Sequence, residues 1–145
     1  MTWKAISLWE PWATAIRLGA KTYETRSWPT PYRGALVICA SKRVIPELRD
    51  FLTDAQWIAS VGKLTQADLH FGHAVAICEL ADCILTDILS VGAYESQKHL
   101  GDFSSGRFAW QLENIRPIVP FPVSGKQGLF NLEADTALTF QILHG

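Results

Sequence analysis

The sequence predicts an α+β domain: a small, mostly antiparallel β-barrel with two or three helices in its connections. Three observations point there. Five or six strand patterns run through the 145 residues, but regular crossover helices do not separate them, which argues against a doubly wound parallel sheet. Strict alternation over 107–113, followed by a run with three prolines, is the mark of antiparallel and edge strands. Helical periodicity is clear in only two places. A closed, mostly antiparallel sheet disposes of strand edges in a chain this size.

Residues 5–8 read as a short opening strand. Glu10-Pro11 then starts a helix, with Pro11 at the first helical position, where its missing N–H costs nothing. Trp12, Ala15, Ile16 and Gly19 recur at helical spacing, and Gly19 is placed to cap the C-terminus. A strand over 22–28 follows and stops at Pro29-Thr30-Pro31. Residues 35–40 are almost continuously apolar, as in a strand buried on both faces. Residues 46–60 read as one helix, with Leu48, Phe51, Leu52, Ala55 and Ala59 in a stripe. Residues 73–80 are the next strand. The stretch 82–106 holds a capping pattern at Thr86-Asp87 and three glycines, and reads as a long functional loop with short helices. Residues 107–113 place Phe108, Trp110 and Leu112 on one face. The proline-rich 115–123 is an edge or irregular strand, 125–128 a turn, 129–132 a short helix or turn, and 137–143 a last strand.

The chain is 48% hydrophobic and 19% charged with a net charge of -1, so it is globular and carries no global field for a long polyanion. Any nucleic-acid contact must be local. One domain spans 1–145. Cys39, Cys78 and Cys83 are odd in number and form no CxxC, which suits a reducing compartment. No segment has the pattern of a signal peptide or a membrane span, so a cytoplasmic location is expected.

The chemistry concentrates between Ser7 and Trp28. On an extended strand Thr22, Glu24, Arg26 and Trp28 share a face. A carboxylate, a guanidinium and an indole on one face suit a site that stacks a flat ring and hydrogen-bonds its edge. A solvated face with a surface ion pair fits the same spacing. Lys21 stands at the start of that strand, just after a glycine turn. Arg107 and Lys126 are further basic candidates. His70, His73, Cys78 and Cys83 do not match a zinc spacing, and there is no nucleophile elbow, phosphate loop or dinucleotide fingerprint. No metal and no cofactor is expected.

Ser7-Leu8-x-x-Pro11-Trp12-Ala13, then Gly19-x-Lys21-x-x-Glu24-x-Arg26-x-Trp28 and Arg33-Gly34, resembles the ASCH family. So does the later pattern from Gly101-Asp102-Phe103 through Gly106-Arg107-Phe108-Ala109-Trp110 to Lys126-Gln127-Gly128-Leu129-Phe130, which is similar to bacterial and phage members. The resemblance implies a PUA-like barrel with a cleft beside the first helix and the Lys-Glu-Arg strand. It implies binding of RNA or of modified bases, a fold-level analogy. Carried over, the cleft residues are Trp9, Pro11, Trp12, Lys21, Glu24, Arg26 and Trp28, with Arg107 and Lys126 added from the second segment. The expected ligand is a short single-stranded RNA or a modified nucleoside. One branch of the family removes the acetyl group from N4-acetylcytidine with a Lys and a Thr of the same element. Lys21 matches that Lys, while Glu24 stands where the Thr would be. If the chain is an enzyme of this kind, Lys21 activates the nucleophile or the water, Glu24 shuttles the proton and Arg26 steadies the oxyanion. A ribonuclease and a protein-interaction domain are the remaining readings.

Overall fold

The computed structural model describes residues 1–134. In chain order the elements are β1 (Thr2–Leu8), α1 (Trp12–Arg17), β2 (Tyr23–Arg26), β3 (Gly34–Ala40), α2 (Leu48–Thr53), α3 (Ala55–Val61), β4 (His73–Leu85), α4 (Val91–Gln97), β5 (Phe108–Pro122) and β6 (Phe130–Glu133). Single turns of 3-10 helix at Gln66–Asp68, Thr86–Ile88 and Lys98–Leu100 punctuate the connections.

The strands form one six-stranded sheet in the order β2-β5-β4-β3-β1-β6. Only β1 and β3 run parallel; the other pairings are antiparallel. The α+β class and the mostly antiparallel sheet are therefore as the sequence predicts. The ladder does not close, however: among the described residues β2 and β6 are its two edges. A side chain instead ties β2 to β1, the strand next to the other edge. Arg26 on β2 donates from Nη2 to the Ser7 carbonyl on β1 at 3.1 Å. β6 pairs with β1 only from Thr2 to Ala5, so Ser7 lies beyond that pairing and its carbonyl can accept from Arg26.

β3 is buried on both faces, as its apolar run requires. Leu36 and Ile38 join Ile6, Leu8, Ile16, Val75 and Trp110 in the cluster beneath α1. Val37 and Cys39 join Ala5, Ala74, Ile118 and Phe130 on the other side. The two faces separate because successive side chains on a strand point in opposite directions. α1 packs Ala13, Ala15 and Ile16 fully out of water. It ends at Gly19, whose φ of +81° suits glycine at a helix terminus. The next two amides, of Ala20 and Lys21, both donate to the Ala15 carbonyl at 3.1 Å. That reversal delivers Lys21 to the start of β2.

Several elements differ from the sequence expectation. The helix read over 46–60 is two helices. Asp54 is extended (φ -70°, ψ 132°) and its carboxylate accepts from the Trp57 amide, capping α3. A cap of this kind satisfies an otherwise orphaned amide and stabilises a new helix start. β4 runs past residue 80 to Leu85, with register shifts, because β5 continues to pair with it. The alternating strand and the proline-rich run are one strand, β5, bent at Asn114 with φ 51°. Its Pro117, Pro120 and Pro122 lie beyond the segment that β2 covers (Phe108 to Gln111), so the edge expectation holds there. Residues 130–133 are strand rather than helix or turn, held by β1. The strand read over 137–143 lies outside the described residues. No helix among the described residues is long and apolar enough to cross a membrane.

Candidate functional site

β2 is a short edge strand, and Glu24 and Arg26 project from it into a cavity of about 590 Å³. That volume is within the usual range of small-ligand pockets. Trp9, Trp12, Trp28 and Phe51 supply aromatic walls, and Ser7, Ser27, Thr25, His99 and Asp102 supply polar ones.

Lys21 forms the floor. Its side chain is 0% exposed. Nζ donates to the Tyr23 carbonyl at 2.8 Å and to the Leu100 carbonyl, and lies 3.4 Å from Glu24 Oε1. An ammonium has three protons, and these three acceptors match them. Burial pulls its pKa below the usual lysine value, while the Glu24 carboxylate opposes that pull and Arg26 adds to it. Above the lysine sits Glu24, 13% exposed, with Oε2 at 3.2 Å from Arg26 Nε. Its Oε1 also accepts from the Thr25 amide at 3.2 Å. The carboxylate is thus held between two cations, and Glu24 and Arg26 are the members of the trio with exposed surface in the cavity.

Because the folded-state pKa of Lys21 is depressed, its linkage has a definite sign. Between that value and 10.5, the reference value for lysine, the unfolded chain holds a proton the native state has released. Stability therefore rises with pH across that window. Chemical denaturation at a series of alkaline pH values should show this rise for the wild type and its loss in Lys21→Met.

The aromatic walls are braced from behind. Trp12 meets Phe51 edge-on at 4.8 Å and 71°, and Trp28 meets the fully buried Trp110 at 5.0 Å and 86°. T-shaped pairs of this kind add about 0.5–1.5 kcal/mol beyond area burial. Trp9 is half exposed, with the Arg43 guanidinium 4.7 Å above its ring.

The segment around residues 97–107 is a fixed wall. Gln97 accepts from the Thr22 amide at 2.8 Å and donates to the Ala20 carbonyl at 3.0 Å. The Asp102 amide donates to Thr25 Oγ1 at 3.2 Å. Arg107 donates from Nη2 to the Thr25 carbonyl and from Nε to the Asp102 carbonyl. Gly101 lies so close that a Cβ there would come within 3.1 Å of Lys21 Nζ. Sequence reasoning missed this wall, as it missed Phe51; the signal available was Gly101-Asp102 in the resemblance pattern.

Of the sequence-predicted residues, Trp9, Trp12, Lys21, Glu24, Arg26, Trp28 and Arg107 line one cavity. Two do not. Pro11 is buried and does not line the cavity; it is the N-cap of α1, one residue before the first helical position, where the sequence places it. Lys126 lines a neighbouring hollow. Glu10, also fully buried, belongs to the scaffold: it accepts from the Thr14 amide and hydroxyl at 2.8 and 2.7 Å and from the His70 amide at 3.1 Å. Burial pushes the Cys39 and Cys78 thiols up to about 12, so neither is a thiolate near neutral pH. Among the described residues no three His, Cys, Asp or Glu side chains converge to hold a metal ion.

Residues 6–122 match the ASCH domain, and the chain belongs to that family. It is 30% identical over 133 residues to activating signal cointegrator 1 of Mus musculus and 29% identical to that of Homo sapiens, the match taking in 89% of this chain. The chain spans about a fifth of the length of these relatives (22%). A crystal structure of ASCH from Zymomonas mobilis has the same fold, with a TM-score of 0.56 and 18% identity over 95% of this chain and 96% of that one. The structure of a point mutant of that Zymomonas mobilis protein covers 90% of this chain and 89% of its own, at a TM-score of 0.51 and 18% identity. The fold is the PUA-like α+β fold.

Proposed function

We propose that this ASCH domain binds a single nucleobase in the tryptophan-walled cavity, as part of a short single-stranded RNA or as a modified nucleoside. The observation that carries the reading is the Glu24 carboxylate, held between Lys21 and Arg26 beneath Trp9, Trp12 and Trp28. The indoles offer stacking surface, and every base has a π-face to meet it. The carboxylate accepts from an amino or imino group on the base edge, and the guanidinium donates to a carbonyl or ring nitrogen. Both groups are already positioned, so little ordering is left to oppose binding.

Lys21 argues for binding over hydrolysis. A catalytic base must come within hydrogen-bond reach of the proton it takes. This ammonium has no exposed surface and faces three protein acceptors. Titration calorimetry with short single-stranded RNAs and nucleosides is expected to give saturable binding, and N4-acetylcytidine is expected to remain intact. Release of acetate, abolished by Lys21→Ala in a folded variant, would instead establish the amidohydrolase.

A further inference from the structure

A second hollow of about 630 Å³ opens beside the first and shares Ser7, Trp9, Arg26 and Trp28 with it. Its remaining wall comes from residues 40–42 and 123–128. The charged residues in it are Arg26, Lys42 and Lys126, and no carboxylate lines it among the described residues. The whole chain has 14 acidic residues against 13 basic ones, so an acid-free basic hollow is a local departure from its composition. Among the described residues neither Lys42 nor Lys126 has an ion-pair partner, whereas Lys21 and Lys98 do. Two lysines without ion-pair partners, together with Arg26, which is itself paired with Glu24 at 3.2 Å, line one concavity and give it a positive potential suited to an anion.

Backbone geometry builds the place for both lysines. The loop carrying Lys126 lies against Ser7, where a Cβ on Gly125 would come within 2.8 Å of Ser7 Oγ. It turns at Gly128 with φ +68° and is anchored by the Val123 amide, which donates to the Gly72 carbonyl at 3.0 Å. On the other bank the stem of Lys42 lies over Gly72, its Cγ 2.9 Å from where a Cβ would be.

We propose that this second hollow takes the phosphodiester next to the bound base, which makes the ligand a strand of at least two nucleotides rather than a free nucleoside. The inference rests on the base-binding reading above and deepens it. The shared wall places a base on one side of Trp9, Arg26 and Trp28 and the adjoining backbone on the other. Neutralising a strand phosphate releases condensed counterions, so the second contact carries a salt dependence that the base contact lacks.

The test compares four probes on the wild type and the K42Q/K126Q variant: the common ribonucleosides, the matching dinucleoside monophosphates, the same dinucleosides with an uncharged methylphosphonate link, and an abasic tetranucleotide. The dinucleoside monophosphate is expected to bind at least tenfold more tightly than its nucleoside at low salt. That gain should disappear with the methylphosphonate link and in K42Q/K126Q, and persist in K42R/K126R. A gain that survives the uncharged link or the loss of both lysines overturns the proposal. Nucleosides that bind with no gain from the phosphate overturn it too, while leaving the base-binding reading intact. An abasic tetranucleotide that binds the wild type and not K42Q/K126Q upholds the phosphate site even where nucleosides fail to bind. Binding of none of the probes overturns both.

Discussion

Glu24→Ala is expected to destabilise the domain by about 3–5 kcal/mol, the range for removing one partner of a buried ion pair. The reason is the arrangement beneath it. Lys21 has no exposed surface, and Arg26 lies just above. Without the carboxylate, a buried ammonium faces two backbone carbonyls and a nearby guanidinium. The lost interaction is thus a mutual repulsion uncovered as well as an attraction removed. Two measurements separate this from a simple cavity effect. Glu24→Gln keeps the volume and loses the charge, so it should be nearly as damaging as Glu24→Ala in urea denaturation. Both variants should also begin to gain stability with rising pH at a lower pH than the wild type, because without the carboxylate the Lys21 proton is released earlier and its release relieves the uncompensated charge. Flat pH profiles in the two variants would show that Lys21 is not the group left unpaired.

Trp12→Ala is expected to weaken binding of a short single-stranded RNA by about 5- to 150-fold, the equivalent of the 1–3 kcal/mol that stacking contributes per base. Arg26→Ala should weaken it through the base edge, and should also loosen the tie between β2 and β1, since the same guanidinium donates to the Ser7 carbonyl. Its thermal stability must therefore be measured alongside its affinity. Trp3→Ala is the matched control. Trp3 packs against the cluster of Ala5, Val37 and Phe130 on the other face of the sheet, so its loss should affect stability and leave affinity for folded protein unchanged. Equal affinity for wild type and Trp12→Ala would move the ligand to another surface.

The strands nearest the site were legible because their patterns are local. The apolar run of β3 states double-sided burial directly, and three prolines confine the end of β5 to an edge. The convergence of Lys21, Glu24 and Arg26 followed from alternation on one strand, with Lys21 added by the turn at Gly19. Elements fixed by distant partners were not legible. β6 has four residues and exists because β1 offers an antiparallel neighbour, a fact its own residues do not carry. The apolar stripe from Leu48 to Ala59 continues through Asp54 without interruption, so periodicity alone hid the cap that splits the helix. The wall at 97–102 was the hardest to see. It contributes the Leu100 carbonyl, the missing Cβ of Gly101 and a bridging Gln97 amide. None of these stands out as a catalytic or binding side chain in a sequence. Closure of the sheet was overestimated for a related reason: β2 reaches across to β1 through the Arg26–Ser7 side-chain hydrogen bond, and no ladder joins the two edge strands among the described residues.

The six tryptophans make the most direct test possible by NMR. Each indole N–H gives one resonance, assignable by single Trp→Phe substitutions, and a short single-stranded RNA can be titrated in. The account predicts that Trp9, Trp12 and Trp28 shift together along one saturation curve while Trp3 stays in place. Saturable shifts at Trp3 with Trp12 and Trp28 unmoved would contradict it.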